Sequence, residues 1–144
     1  MAARFITHVA VALGMFVALS SHCARAAGGA FDGSWNVTVV CGGDPHSGAQ
    51  GYKYDFTAQV TNGVLHGEHG VQGRPSWLAI DGRISPDGTA LISSVGLTGE
   101  PRATVGYVNT GTPYAYHVNA RFDSTRGSGS RIELRPCSYV FVKQ

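Results

Sequence analysis

One short segment, His66-Gly67-Glu68-His69, places two imidazoles and a carboxylate close enough in sequence to suggest a metal site. Such nitrogen and oxygen atoms bind zinc and similar ions. In a strand, however, residues three apart point to opposite faces, so His66 and His69 could share an ion only if Gly67 or Gly70 bent the chain. We interpret the segment as polar residues at a strand end, and we predict neither a metal nor another cofactor.

The residue types that commonly act in catalysis do not form a recognisable set. Nucleophilic catalysis needs a serine or cysteine beside a base that a third group orients, and no G-x-S-x-G motif is present. Glycoside hydrolysis needs two carboxylates about 5 to 10 Å apart, whereas the acidic residues fall mostly at turns or at outward strand positions. We therefore predict no catalytic residues and no enzymatic activity.

Large aromatic residues form the most informative set, because many of them fall at predicted inward positions. The candidate ligand-binding residues are Trp35, Tyr52, Tyr54, Tyr114 and Tyr116. A small barrel either fills its interior with such side chains or holds one small ligand among them. A short chain needs large side chains for its core, which favours the first alternative, whereas buried phenols need polar partners, which favours the second. Both alternatives stay open at this point.

The start of the chain has the pattern of a secretory signal peptide. Arg4 supplies a positive charge, an apolar run covers 9–19, and Ala24-Arg25-Ala26 is an A-x-A cleavage site. The run is shorter than the roughly 20 apolar residues of a membrane-spanning helix. We predict that residues 1–26 are removed, that residues 27–144 form one domain, and that this domain is periplasmic or secreted and has no further membrane segment.

The cysteine count supports export. Of three cysteines, Cys23 lies in the predicted signal peptide, which leaves Cys41 and Cys137 as an even pair. In an oxidising compartment such a pair is expected to form a disulfide. Removal of residues 1–26 also removes Arg4 and Arg25, so the formal charge falls from +2 to zero. A neutral domain argues against nucleic acid as a partner, since phosphate binding needs an excess of Lys and Arg.

The rest of the chain is dominated by the alternating pattern of half-buried strands. From Tyr52 to Val60, for example, even positions are apolar or aromatic and odd positions are polar. Turn residues such as Asn62-Gly63 and Asp87-Gly88 separate the segments and predict antiparallel hairpins; the Gly/Ser cluster 126–130 is interpreted as another turn. The predicted strands lie near 33–41, 51–61, 64–69, 76–84, 89–97, 102–108, 113–122 and 130–142.

Eight such strands form either a closed up-and-down barrel or a two-sheet sandwich. Cys41 ends the first predicted strand and Cys137 lies in the last, so their disulfide would bring these two strands together and close a barrel. Antiparallel pairing then sets Val39 opposite Tyr139 and Val37 opposite Phe141. We predict an all-β, eight-stranded antiparallel barrel closed by one disulfide, with the two-sheet β-sandwich as the alternative.

The last predicted strand contains an irregularity. Its inward positions are even before Pro136 and odd after it. Proline cannot donate to a strand ladder and often marks a bulge, so we predict a bulge or corner at this residue. Without it, Arg131, Glu133 and Arg135 would face the interior and would need partners or a charged ligand.

Two resemblances agree with an exported β protein. Gly33-Ser34-Trp35 resembles the G-x-W motif of the first strand in lipocalins and avidins, the calycin group, in which the tryptophan plugs one barrel end. Phe31-Asp32-Gly33-Ser34-Trp35, Asp81-Gly82-Arg83-Ile84 and Arg135-Pro136-Cys137-Ser138-Tyr139-Val140-Phe141 together resemble a group of small exported proteins and domains of alphaproteobacteria. The first implies a calycin-like barrel, and the second implies export.

These observations predict a non-catalytic, exported binding module. In the leading hypothesis, a small, partly apolar ligand binds at the barrel mouth among the five aromatic residues listed above. The alternative is a protein-interaction or inhibitor module of the periplasm with a filled interior, which would act through the long loop 42–50, since functional residues concentrate on loops held by a rigid scaffold.

Overall fold

The chain forms a closed barrel in which every strand is antiparallel to the next and the last strand pairs with the first. The structure is a computed structural model that describes residues 29–144; the predicted signal peptide and Cys23 lie outside the described residues. The strands are β1 (Gly33–Cys41), β2 (Tyr52–Thr61), β3 (Val64–His69), β4 (Leu78–Ile84), β5 (Thr89–Leu97), β6 (Pro113–Phe122), β7 (Arg126–Arg131) and β8 (Cys137–Lys143). The predicted eight-stranded barrel is confirmed, and the sandwich alternative is excluded.

The alternating pattern explains how the strands build a core. In β2 and β6 the even positions point inward, as the sequence predicts, and the odd positions are exposed. Side chains of all the strands except β7 meet in one buried apolar cluster, in which Leu65, Ile80 and Ile92 are fully inaccessible. The strand period of two therefore determines which side chains face the barrel axis.

The closure of the barrel follows the predicted register. Val37 lies opposite Phe141, Val39 lies opposite Tyr139, and Cys41 lies opposite Cys137. The two cysteines form a disulfide, and both are buried. The covalent bond thus joins the first strand to the last where their ladder ends at one end of the barrel.

The prediction of a sixth strand at 102–108 is wrong. This segment contains a 3₁₀ turn, Pro101–Ala103, followed by a loop. Gly106 and Tyr107 have φ values of 81° and 53°, which a strand does not accommodate. The amide of Tyr107 donates to the carbonyl of Thr104 three residues earlier, a turn bond rather than a ladder bond.

The Gly/Ser cluster 126–130 was predicted as a turn, and this is also wrong, because it forms most of β7. A Cβ atom on Gly127 would lie 2.5 Å from Phe122 Cδ1, and one on Gly129 would lie 2.8 Å from Val118 Cγ1. Glycine is required at these inward positions because large side chains of β6 occupy the space that β7 would otherwise fill.

The two ends of the barrel differ in their connections. At one end, tight hairpins join β2 to β3, β4 to β5 and β6 to β7. At the other, which we call the open end, the longer connections are 42–51, 70–77, 98–112 and 132–136. The last of these contains the corner predicted at Pro136 and includes Leu134 with a φ of 59°. No helix among residues 29–144 has the length and apolar character to cross a membrane.

Candidate functional site

The open end of the barrel leads into a cavity of about 610 Å³. Its walls come from the last or first residues of several strands and from the 98–112 connection. Four of the five aromatic residues singled out in the sequence line it together: Tyr52, Tyr54, Tyr114 and Tyr116. Leu97, Val105, Val108 and Pro113 add apolar surface. The volume lies within the roughly 300 to 1,000 Å³ typical of small-molecule sites.

The tyrosines form two pairs on two strands. On β2, the rings of Tyr52 and Tyr54 have centroids 4.8 Å apart. On β6, the rings of Tyr114 and Tyr116 are nearly parallel, with centroids 5.8 Å apart. His69 stacks on Tyr54 at 3.9 Å and supports that ring from β3. Aromatic faces of this kind offer broad apolar contact area together with a polar hydroxyl.

A hydrogen-bonded pair of phenols lies below the cavity. The hydroxyl oxygens of Tyr116 and Tyr139 are 2.6 Å apart, and Ser94 Oγ lies 3.5 Å from the Tyr139 hydroxyl. All three residues are buried. Burial raises the pKa of the Tyr116 and Tyr139 hydroxyls above their ordinary value, because a phenolate would lose its hydration. At neutral pH these groups are therefore uncharged donors and acceptors.

Arg135 holds the open end together from the β7–β8 connection. Its Nη1 donates to the carbonyls of Gly42 at 3.3 Å and Gln50 at 3.0 Å, and its Nη2 donates to the carbonyl of Ala103 at 2.7 Å. The guanidinium carbon also lies 5.0 Å from the centroid of the Tyr52 ring. Only 8% of the residue is exposed, so Arg135 fixes two loops around the cavity.

Arg131 is the second arginine of the cavity, and its environment is different. It is the last residue of β7 and lies opposite Val118. Its guanidinium carbon lies 3.9 Å from the centroid of the Tyr116 ring. Its Nε is buried, and within residues 29–144 no hydrogen-bond acceptor is in reach of that atom. No ion pair found in this part of the chain involves Arg131.

Trp35, the fifth aromatic candidate, is not brought together with the tyrosines. It lies near the start of β1, toward the hairpin end of the barrel, and is completely buried. Its ring packs edge-on against Phe122 at 5.5 Å, and its indole N–H donates to the carbonyl of Phe31 at 2.9 Å. The residue therefore closes the bottom of the barrel and does not line the cavity.

The histidine segment is divided between the two faces of β3. His66 is exposed, with Nδ1 2.7 Å from Asp81 Oδ1, whereas His69 faces Tyr54 and has its Nδ1 3.0 Å from the carbonyl oxygen of Ser76. In the described part of the chain, no group of three or more His, Cys, Asp or Glu residues is arranged to hold a metal ion.

Loop 42–50 lies beside the cavity and has defined internal structure. Asp44 and Ala49 form an isolated β-bridge, and Ser47 Oγ donates to Asp44 Oδ2 at 2.7 Å. These bonds hold the loop while the side chain of His46 remains 98% exposed. The loop thus combines a fixed backbone with an accessible tip.

Arg131 and Arg135 line the cavity but were not selected from the sequence as ligand-binding candidates. The signal for them was present, because the parity of the last predicted strand placed Arg131 and Arg135 inside unless the chain turned at Pro136. The chain does turn there, yet Arg131 ends β7 on its inward face and Arg135 returns over the open end. The corner therefore does not remove these two residues from the interior.

Comparisons with protein-family models, with curated proteins and with solved structures gave no match. The geometry of the cavity is accordingly the basis for assigning a function.

Proposed function

We propose that this protein is a non-catalytic, exported binding module that holds a small, partly apolar molecule in the cavity at the open end of the barrel. The observation that carries the proposal is the cavity itself: about 610 Å³, lined by four tyrosines from β2 and β6 and open to solvent. A filled core would have placed these rings against one another at the barrel axis. Instead they surround a space that a ligand can occupy.

The chemistry of the lining supports binding rather than catalysis. The pKa of the Tyr52, Tyr114 and Tyr116 hydroxyls is raised by burial, and arginine stays protonated in proteins. These groups therefore donate hydrogen bonds at neutral pH and do not act as bases. Glu100, the one carboxylate of the cavity lining, is exposed and paired with Arg102.

Export is proposed from two features. The N-terminal segment has the pattern of a signal peptide, and the Cys41–Cys137 disulfide fits an oxidising compartment. In the periplasm or outside the cell, the module would meet small molecules that enter from the medium.

Native mass spectrometry tests the binding function without a guess about the ligand. We expect protein purified under non-denaturing conditions from the organism that makes it to carry an additional mass that disappears after denaturation. The variant Tyr114→Ala, which removes part of the cavity wall, is expected to lose that mass. Tyr107→Ala removes an exposed tyrosine outside the cavity lining and is the matched control. A native mass equal to that of the chain alone would contradict the proposal.

A protein-interaction or inhibitor module acting through loop 42–50 is the second candidate. It is favoured by the fixed backbone of that loop and by the exposed His46 at its tip. Replacing 45–48 with a Gly/Ser sequence of the same length separates the two functions. A small-molecule site lined by the tyrosines should keep its ligand, whereas an interaction surface built on the loop should be lost.

A further inference from the structure

Among residues 29–144, the charge of Arg131 has no ion-pair partner. The guanidinium carbon lies over the Tyr116 ring, 3.9 Å from its centroid, so the ring covers one side of the cation. The N–H groups of a guanidinium point outward in its plane, so an aromatic ring on its face satisfies none of them. The buried Nε has no hydrogen-bond acceptor among the described residues. No hydrogen bond from the Nη atoms is found among the described residues either, and these atoms can donate to an acceptor that enters from the cavity.

The cavity as a whole carries an excess of positive charge. Its lining contains three positively charged residues, Arg102, Arg131 and Arg135, and one negatively charged residue, Glu100. In contrast, the chain after the predicted signal peptide has no net formal charge. The excess is therefore local, and the low polarity around buried rings strengthens its attraction for an anion.

The hydrogen-bond donors that remain free in the lining indicate the anionic group of the ligand. Arg102 pairs with Glu100, and Arg135 directs its Nη atoms to three backbone carbonyls. Among the described residues, Arg131 is the one arginine of the lining for which neither an ion pair nor a side-chain hydrogen bond is found. A planar carboxylate matches the Nη atoms of such a guanidinium with two parallel hydrogen bonds.

The uncharged residues of the cavity lining indicate the chemistry of the rest of the ligand. Beyond the arginines, the cavity presents the rings of Tyr52, Tyr54 and Tyr114 and the aliphatic side chains of Leu97 and Val108. We infer that the molecule bound in this cavity is a small monocarboxylate with an apolar body, whose carboxylate pairs with Arg131 while the body lies among the tyrosine rings. This inference rests on the proposed binding function and assigns the chemical class of its ligand.

A matched pair of probe molecules tests the role of the charge. 3-Phenylpropionate and its neutral amide, 3-phenylpropanamide, have the same apolar body and differ in the group that would meet Arg131. We expect NMR titration of the purified, disulfide-bonded protein to give an affinity for the acid roughly 10- to 100-fold higher than for the amide, as removal of a charge-assisted hydrogen-bonded pair predicts. The resonances that shift should be those of the tyrosine cavity.

Variants locate the preference at Arg131. Arg131→Gln should bind the acid and the amide about equally. Arg131→Lys, which keeps the positive charge but loses the planar guanidinium and its paired donors, should retain part of the preference for the acid. Arg126→Gln removes an exposed arginine at the other end of β7 and should behave like the unchanged protein. Thermal unfolding of each variant checks that the barrel is intact.

Each contrary result has its own meaning. Equal affinities of the unchanged protein for acid and amide, or a preference that survives in Arg131→Gln, would overturn the inference and leave the binding function standing. Displacement of 3-phenylpropionate by inorganic phosphate at equal or lower concentration would overturn the carboxylate assignment in favour of phosphate. Failure of both probes to bind, together with a native mass equal to that of the chain alone, would reject the binding function itself.

Discussion

The hydroxyl oxygens of Tyr116 and Tyr139 lie 2.6 Å apart across the barrel interior, directly below the cavity. One phenol belongs to β6 and the other to β8, so the hydrogen bond joins strands that are separated by β7. This pair defines the boundary between the packed part of the barrel and the cavity.

We expect Tyr139→Phe to lower the free energy of unfolding by about 1 to 3 kcal/mol, because the buried Tyr116 hydroxyl loses its partner. Tyr116→Phe should have a similar effect. The double variant should cost clearly less than the sum of the two, since both partners are then absent. Urea denaturation of the four proteins measures this coupling, and strictly additive effects would show that the two hydroxyls do not depend on each other.

Stability is expected to fall above pH 10. Burial raises the pKa of Tyr52, Tyr114, Tyr116 and Tyr139 above the ordinary value of 10.0. Below pH 10 these phenols are protonated in both states, so they add no pH dependence. As pH rises through 10, the unfolded chain loses protons that the folded protein retains, and the free energy of unfolding decreases.

Urea denaturation between pH 8 and 11.5 measures this slope, and absorbance near 295 nm follows the phenolates. Tyr114→Phe removes one of the shifted groups and should make the slope shallower by about 1.4 kcal/mol per pH unit above pH 10. Identical slopes for the two proteins would contradict the prediction. It would also be contradicted if all tyrosines of the folded protein were ionised at pH 10.5.

Arg135→Met is expected to loosen the open end of the barrel. Three backbone carbonyls lose a charged donor, and this should cost about 1 to 3 kcal/mol. Amide hydrogen exchange should accelerate in loop 42–50 and in 101–103, because the lost bonds connect these segments to the β7–β8 connection. Arg121→Met changes the charge equally at an exposed position and is the control. Unchanged exchange in both loops would count against a positioning role for Arg135.

The disulfide should contribute a large part of the stability. Cys41 and Cys137 are 96 positions apart, and the loop-entropy model assigns about 4 to 5 kcal/mol to a bond that closes a loop of this length. We expect Cys41→Ala/Cys137→Ala to unfold at a much lower urea concentration than the oxidised protein. Added reductant should destabilise the unchanged protein after prolonged incubation and should not affect the double variant. Equal unfolding midpoints for the oxidised protein and the double variant would refute this.

The glycines of β7 are expected to be intolerant of side chains. In Gly127→Ala the new methyl group would lie 2.5 Å from Phe122 Cδ1, and overpacking of this kind costs about 1 to 3 kcal/mol. Gly42→Ala is the control, because a Cβ atom there meets nothing within 4 Å. Thermal unfolding of the two variants compares them, and equal stability would mean that Phe122 moves without cost.

Strand identity could be predicted wherever inward positions carry apolar side chains. Alternation in β2 and β6 is regular, and the register of β1 with β8 followed from the cysteines alone. The strand β7 was missed for the same physical reason, since its inward positions are Gly127, Gly129 and Arg131 and its hydrophobic signal is absent. Conversely, segment 102–108 has apolar residues at strand-like spacing but forms a loop. The positive φ values of Gly106 and Tyr107, which exclude a strand, are visible only in the folded structure.

The amino-acid sequence by itself determined that the chain forms antiparallel strands and that the tyrosines of β2 and β6 point inward, because both follow from a period of two and from local turn chemistry. It also determined that Cys41 pairs with Cys137, because these are the two cysteines outside the predicted signal peptide. Only the tertiary structure decided that Trp35 closes one end while the tyrosines surround a cavity at the other, and that Arg131 faces this cavity without an ion-pair partner among residues 29–144. Closure of the barrel determines the distances between side chains of strands that are far apart in sequence. A local sequence pattern carries no information about those distances.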